Sequence, residues 1–260
     1  MQLEGQVAVI TGGTRGIGFG IAKAFADEGA KVVMGSRSDE KGKQAIDKLD
    51  AGDNAAFQTC DVTKQSDVES LVDFAKRNYG RVDIMVNNAG GSDGFAPVHE
   101  LTDEAWRNAL DLNLNATFFG TRRALKYMVE QGSGGRVITI SSVEGKQANK
   151  AAVSHYITNK HAMNGFVKAV AFEYGEQDIT SNAICPGAVE TDLMKTQGPI
   201  AAEAMGISYE EFLQNYANES MTKQLNTVEE VAAMALLLSG AQGKGITGAL
   251  LNVDGGTAAW

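Results

Sequence analysis

The sequence is short of the residues that staple or punctuate a chain. It has 2 cysteines, Cys60 and Cys185, far apart among 260 residues. Isolated cysteines give neither a disulfide framework nor zinc-site spacing, and they suit a reducing cytoplasm. Histidine is scarce, at 3, and no Asp, Glu, His or Cys cluster has metal-ligand spacing. No catalytic metal is expected. Proline is equally sparse, at 3, and no linker rich in Pro or Ser, no repeat and no low-complexity tract divides the chain. Positive charge is in deficit: 23 Lys and Arg against 32 Asp and Glu leave a net −9. Nucleic acid and anionic membrane need clustered basic residues, so neither is the expected partner. The start, MQLEGQVAVITGG, has no basic region, long apolar run or cleavage site of a signal peptide. The longest apolar stretch, near Val231 to Leu238, is too short to span a bilayer.

What is present is ordinary globular material, 43% hydrophobic and 21% charged. A chain of this length buries about three quarters of its unfolded surface, and one domain over residues 1–260 is the simplest expectation. Strand patterns fall at Val7–Thr11, Lys31–Met34, Ala55–Cys60, Ile84–Val86, Arg136–Ser141, Ser181–Ile184 and Ala249–Val253. Most are continuous apolar runs, which suit parallel strands covered on both faces. Helical patterns lie between them at Ile17–Glu28, Asp67–Asn78, Asp103–Glu130, Tyr156–Tyr174 and Val228–Leu238. The alternation predicts a doubly wound α/β fold with a seven-stranded parallel sheet. Residues 193–227 break the rhythm and carry Met194, Met205, Tyr209, Phe212 and Tyr216. Between the last two strands, such an insert reads as a substrate lid, or else as a surface helical hairpin.

The first strand runs straight into Gly12-Gly-Thr-Arg-Gly-Ile-Gly18, and a helix follows. Glycines let the backbone turn tightly and approach a pyrophosphate, and the helix N-terminus offers free N–H groups. The spacing differs from the common dinucleotide fingerprint but serves the same physics. The second strand ends at Gly35-Ser36-Arg37, with no acid where ribose hydroxyls are usually bound. Arg37, flanked by Arg15, suits a 2′-phosphate, so NADP is expected over NAD. The plainer alternative is two solvated arginines, and Asp39 would reach the ribose if the turn were shifted.

Tyr156 and Lys160 sit four apart, on one helical face. A nearby ammonium lowers a phenol's pKa toward the working range. Upstream, one strand ends at Ser141-Ser142 and another at Asn87-Asn88-Ala89-Gly90. With Cys60-Asp61-Val62, Asn113, Pro186-Gly187 and Val253-Asp-Gly-Gly256, these motifs span about residues 5 to 255. In this order and spacing the chain resembles the short-chain dehydrogenase/reductase family, in its single-domain form.

That resemblance implies a Rossmann-type fold and a role for each matching position. Tyr156 would move a proton to or from the substrate oxygen, and Ser142 would polarise it. Lys160 would hold the nicotinamide ribose and lower the Tyr156 pKa. Asn113 would anchor a water in a proton relay. Gly12, Thr14, Arg15, Gly16, Ile17, Gly18, Ser36 and Arg37 would cradle the cofactor's phosphates. Asp61 and Val62 would meet the adenine. Asn88, Ala89, Gly90, Pro186, Gly187, Val189 and Thr191 would line the rest. The resemblance also implies a homotetramer, with residues Asp103–Glu130 and Tyr156–Tyr174 at one interface and the last strand and C-terminal tail at another.

Glu144, Gln147 and Ala188 should border a small-molecule substrate, by their nearness to Ser142 and the nicotinamide segment. Glu144 would repel a carboxylate unless protonated or turned away, which favours a neutral or polyhydroxylated ketone or alcohol. His155 reads as a structural contact. The expected activity is hydride transfer between NADP(H) and a ketone or secondary alcohol. The alternatives are an NAD-dependent catabolic dehydrogenase of the same family and a non-catalytic dinucleotide sensor. The complete set Asn113, Ser142, Tyr156 and Lys160 favours catalysis.

Overall fold

The computed structural model describes residues 1–258. All seven expected strands form. They are β1 (Val7–Thr11), β2 (Lys31–Ser36), β3 (Ala55–Thr59), β4 (Ile84–Asn87), β5 (Gly135–Ile140), β6 (Ile179–Pro186) and β7 (Leu250–Val253). They make one sheet in the order β3-β2-β1-β4-β5-β6-β7, with every neighbouring pair parallel. Registers such as Val9 opposite Val33 and Met85 place apolar residues side by side across the sheet.

Both faces are covered, which explains the continuous apolar runs. Along β1, Ala8 and Ile10 face one core, with Val32, Met34, Ile84 and Ile138. There they meet Ile21 and Phe25 of α1 (Gly16–Asp27) and Val231, Ala235 and Leu238 of α9 (Val228–Ser239). Val7 and Val9 face the other core, with Val33, Met85 and Val137. Val68, Leu71 and Val72 of α3 (Gln65–Tyr79) and Ala124 and Met128 of α5 (Ala116–Gln131) close it. Side chains alternate faces along a strand, so each run feeds two cores.

Two helical features differ from the sequence reading. A helix α2 (Asp39–Leu49) lies between β2 and β3, started by Ser38, whose hydroxyl accepts from the Lys41 N–H at 3.2 Å. The single helix expected over Asp103–Glu130 is interrupted. It runs as α4 (Asp103–Leu110), one π-helical turn (Asp111–Asn115), and α5. The remaining helices are α6 (Ser154–Tyr174), α7 (Asp192–Met205) and α8 (Tyr209–Asn218). The last two occupy residues 193–227 as a helical pair, stacked through Tyr209 and Phe212 against Gly198.

The strand order reverses between β1 and β4. Ligands of such sheets bind beyond the carboxyl ends of the strands, at that reversal. The turns after β1, β4, β5 and β6 all open there.

Candidate active site

The glycine turn is built so that only glycine fits it. Gly12 and Gly16 hold positive φ, at 65° and 51°. A Cβ on Gly18 would come within 2.3 Å of the Gly12 carbonyl oxygen. The turn is braced from β4. The Asn88 amide donates to the carbonyls of Thr11, at 2.9 Å, and Gly12, at 3.1 Å. The Thr11 hydroxyl accepts the N–H groups of Asn88 and Ala89, at 3.0 and 3.1 Å. Thr11, the first residue of the matching glycine motif, thereby ties the two strand ends together.

A cleft of about 310 Å³ opens over this turn. Gly12, Thr14, Arg15, Gly16, Ile17, Gly18, Ser36, Arg37, Asp61, Val62, Asn88, Ala89, Gly90 and Thr191 line it, as the sequence reading grouped them. Cys60, Thr63, Leu112 and Leu193 join them. The donor set fits a dinucleotide. The N-terminus of α1 has no side-chain cap, so its N–H groups are free for a phosphate. The Ser36 hydroxyl is buried without a partner. Arg37 and Arg15 both reach the cleft, whereas Asp39 stands on the first turn of α2, 2.7 Å from Lys43. Asp61 is held below the usual carboxylate range. Burial opposes its charge, but hydrogen bonds from Thr63 and the charges of Lys64 and Arg37 outweigh that.

Pro186, Gly187 and Val189 stand apart from this cleft. Val189 packs into the core beside α9 and pairs with Asn226. Gly187 and Ala188 line a second cavity of about 250 Å³. Ser142, Glu144 and Tyr156 also line it, with Phe95, Lys150, Val153, Met194, Tyr216 and Glu219. The pair α7 and α8 reaches both cavities: Thr191 and Leu193 border the first, Met194 and Tyr216 the second. Gln147 is not among the lining side chains. Its backbone N–H turns back to the Val143 carbonyl at 3.1 Å.

Ser142 and Tyr156 are brought together by the tight packing of the 142–145 turn on α6. A Cβ on Gly145 would meet the Asn164 amide at 2.7 Å and the Lys160 carbonyl at 2.9 Å. The Asn164 amide donates to the Gly145 carbonyl at 2.8 Å. Burial pushes the Tyr156 phenol up, the nearby Ser142 hydroxyl pulls it down, and the Glu144 charge raises it further. The net direction is upward, against the lowering expected from Lys160. The reason is burial, the largest contribution. The Lys160 ammonium lies over the Tyr156 ring, 5.4 Å from its centre, and donates to the Ile140 carbonyl at 3.0 Å. Lys160 is itself buried, which lowers its pKa to about 8.

Asn113 is fully buried in the π-helical turn. Its amide donates to the carbonyls of Gly91, at 2.7 Å, and Ala109, at 2.8 Å. Its oxygen accepts from the Gly91 N–H at 3.1 Å. The side chain therefore clamps the loop after β4. His155 is buried, with Nε2 2.9 Å from the Asp93 carbonyl oxygen, which fixes the same loop to α6. Among the described residues, no group of His, Cys, Asp or Glu is arranged to hold a metal ion.

Comparison with known proteins places the chain in a family. Residues 6–200 match the family model for short chain dehydrogenases. The chain is 35% identical to the 3beta-hydroxysteroid dehydrogenase 2 of Eggerthella lenta, over 99% of this chain and 96% of the relative. It is equally identical, at 35%, to the D-beta-hydroxybutyrate dehydrogenase of Cupriavidus necator, over 98% of each. A solved actinorhodin polyketide ketoreductase with NADPH superposes with a TM-score of 0.92 at 35% identity, covering 100% of this chain and 99% of that one. The chain belongs to the short-chain dehydrogenase family, and it is an oxidoreductase acting on hydroxyl and keto groups.

Proposed function

We propose that the protein is an NADP(H)-dependent reductase of a ketone, or dehydrogenase of the matching secondary alcohol, in a single catalytic domain. The observation that carries the reading is that α7 borders two cavities through adjacent residues, Leu193 in the one lined by the glycine turn and Arg37 and Met194 in the one lined by Ser142 and Tyr156. When bound, the cofactor supplies or accepts the hydride at its nicotinamide. The glycine turn and the α1 N-terminus bind its pyrophosphate. Ser36, Arg37 and Arg15 hold the 2′-phosphate, and Asp61 and Val62 meet the adenine. Asn88 to Gly90, Pro186, Gly187, Val189 and Thr191 position the nicotinamide half.

In reduction, the Tyr156 hydroxyl gives its proton to the carbonyl oxygen, and the Ser142 hydroxyl donates a hydrogen bond to that oxygen as charge builds. Lys160 holds the nicotinamide ribose and supplies positive charge beneath Tyr156. Asn113 keeps the Gly91 loop in place and, with Lys160, leads a proton chain to Tyr156. The pair α7 and α8 acts as a lid that excludes water.

We further propose a cytoplasmic homotetramer. The two cysteines are buried and free, and no helix among the described residues is long and apolar enough to cross a membrane. Phe118, Leu125, Val129, Phe166 and Val170 line a groove between α5 and α6, and Phe172 on α6 is 91% exposed. That face is the proposed first interface. The second uses β7 and the C-terminal tail, whose residues 259 and 260 lie outside the described ones.

Titration with NADPH and NADH, for wild type and Arg37→Ala, tests the cofactor assignment. Tighter NADPH binding that falls at least about tenfold on mutation is expected, since the substitution removes a charge-assisted contact. Equal binding of the two cofactors, unchanged in Arg37→Ala, would instead favour an NAD-dependent dehydrogenase.

A further inference from the structure

The cavity beside Ser142 holds a carboxyl group that burial disfavours as a charge and that the chain answers only in part. Glu144 is 4% exposed and lines that cavity. Neither of its carboxylate oxygens makes a well-formed hydrogen bond to a protein group; the Asn149 N–H and the Lys150 ammonium favour its charge but do not outweigh burial. Lys150 lines the same cavity, but its ammonium sits 3.3 Å from Glu219 and 4.6 Å from the centre of the Tyr216 ring. His161 acts on Glu144 only through space, and its Nδ1 is engaged 3.0 Å from the Ile157 carbonyl oxygen. A buried carboxylate without a partner is costly. Buried polar groups are otherwise almost always hydrogen-bonded, and the exceptions call for a reason.

Position narrows the reason. The Glu144 N–H donates to the Ser142 Oγ at 3.1 Å, so the carboxylate stands two residues from the hydroxyl assigned to the reacting oxygen. Phe95, Val153, Met194 and Tyr216 give the same cavity apolar walls. A substrate carboxylate placed here meets like charge from Glu144 and Glu219. A hydrocarbon group leaves Glu144 buried and unpaired. A hydroxyl donates to it. We infer that Glu144 is the specificity-determining residue, and that the substrate is a neutral hydroxyketone whose hydroxyl donates to the Glu144 carboxylate. Only the carbonyl is reduced; the hydroxyl is recognised and left unchanged, so the product is a diol. This inference rests on the reductase reading above.

The test compares NADPH oxidation with acetoin, butanone and acetoacetate, for wild type, Glu144→Gln and Glu144→Leu, alongside the Tm of each free protein. Wild type should prefer acetoin over both other ketones by about 100-fold or more in kcat/KM, because the rejected analogues leave the site unsatisfied. Glu144→Gln should lose about tenfold on acetoin and gain on acetoacetate. Glu144→Leu should gain on butanone. The free Glu144→Gln protein should melt about 2 °C or more higher, because an unpaired buried charge is gone. Reduction of all three ketones without preference would overturn the hydroxyl assignment and leave the reductase standing. So would an unchanged preference in Glu144→Gln with a lowered Tm, which marks a merely structural residue. If NADPH binds and none of the three ketones is reduced, the hydroxyketone assignment is overturned, whereas failure to bind NADPH would overturn the reductase reading itself.

Discussion

At the residue scale, the chemistry turns on how burial treats two neighbouring groups. Tyr156 is pushed up by burial and by Glu144. A phenol with a raised pKa stays protonated to higher pH, so it remains a proton donor for reduction. Oxidation needs the phenolate and should rise as the pH climbs. Removing the Glu144 charge should move the oxidation profile toward lower pH in Glu144→Gln, measured as kcat/KM against pH. An unmoved profile would show that the two groups do not interact. Lys160 is the opposite case: its pKa falls from 10.5 to about 8 in the folded chain. Between those values the unfolded chain binds more protons, so this group's contribution to stability rises with pH. Cys60, raised from 9.0 to about 12 by burial first, works the other way above about pH 9. The stability difference between wild type and Lys160→Met isolates the lysine. It should shift in favour of wild type between pH 8 and 10.5, read from denaturant melts.

At the element scale, the structure depends on departures from regular geometry. The π-helical turn at Asp111–Asn115 rotates Asn113 so that it grips the Gly91 loop and the Ala109 carbonyl. Such turns recur at functional sites. Asn113→Ala strands the polar groups of Gly91 and should cost about 2 kcal/mol of stability. Faster proteolysis in the loop after β4 should accompany the loss. Glycines show the same contrast between site and scaffold. Gly165, mid-way along α6, has nothing within 4 Å of an added Cβ, so Gly165→Ala should stabilise by about 0.5–1 kcal/mol. Gly18→Ala should abolish cofactor binding, because its Cβ would strike the Gly12 carbonyl and the Asn88 amide. Equal melting curves for the two variants would contradict that reading of the turn.

At the scale of the whole molecule, the sheet was legible because its strands are buried on both faces and carry continuous apolar runs. The glycine turn, Arg37, Ser142 and Tyr156 were legible because they end strands or open helices where the sheet reverses. Less was visible where tertiary packing decides. The break after Leu110 leaves no mark in a pattern that stays helical on both sides. Asn88 reads as lining the cofactor and Asn113 as anchoring a water; that their side chains also brace the backbone of neighbouring turns is set by tertiary contacts that spacing does not encode. Burial of Glu144 follows from the turn after β5 folding onto α6, which spacing alone does not encode. The exposed apolar face of α5 and α6 belongs to this scale too. Solution scattering at micromolar concentration should give four times the mass of one chain, and Phe172→Glu with Phe166→Glu should reduce it. A monomer in wild type would contradict the assembly.

The most direct test is a comparison of wild type with Tyr156→Phe by NADPH titration and by ketone turnover on the same samples. NADPH affinity should stay within about twofold, while kcat falls by about 10²–10⁴, the usual contribution of a positioned general acid. A variant that binds NADPH and reduces ketones as fast as wild type would contradict the account at its centre.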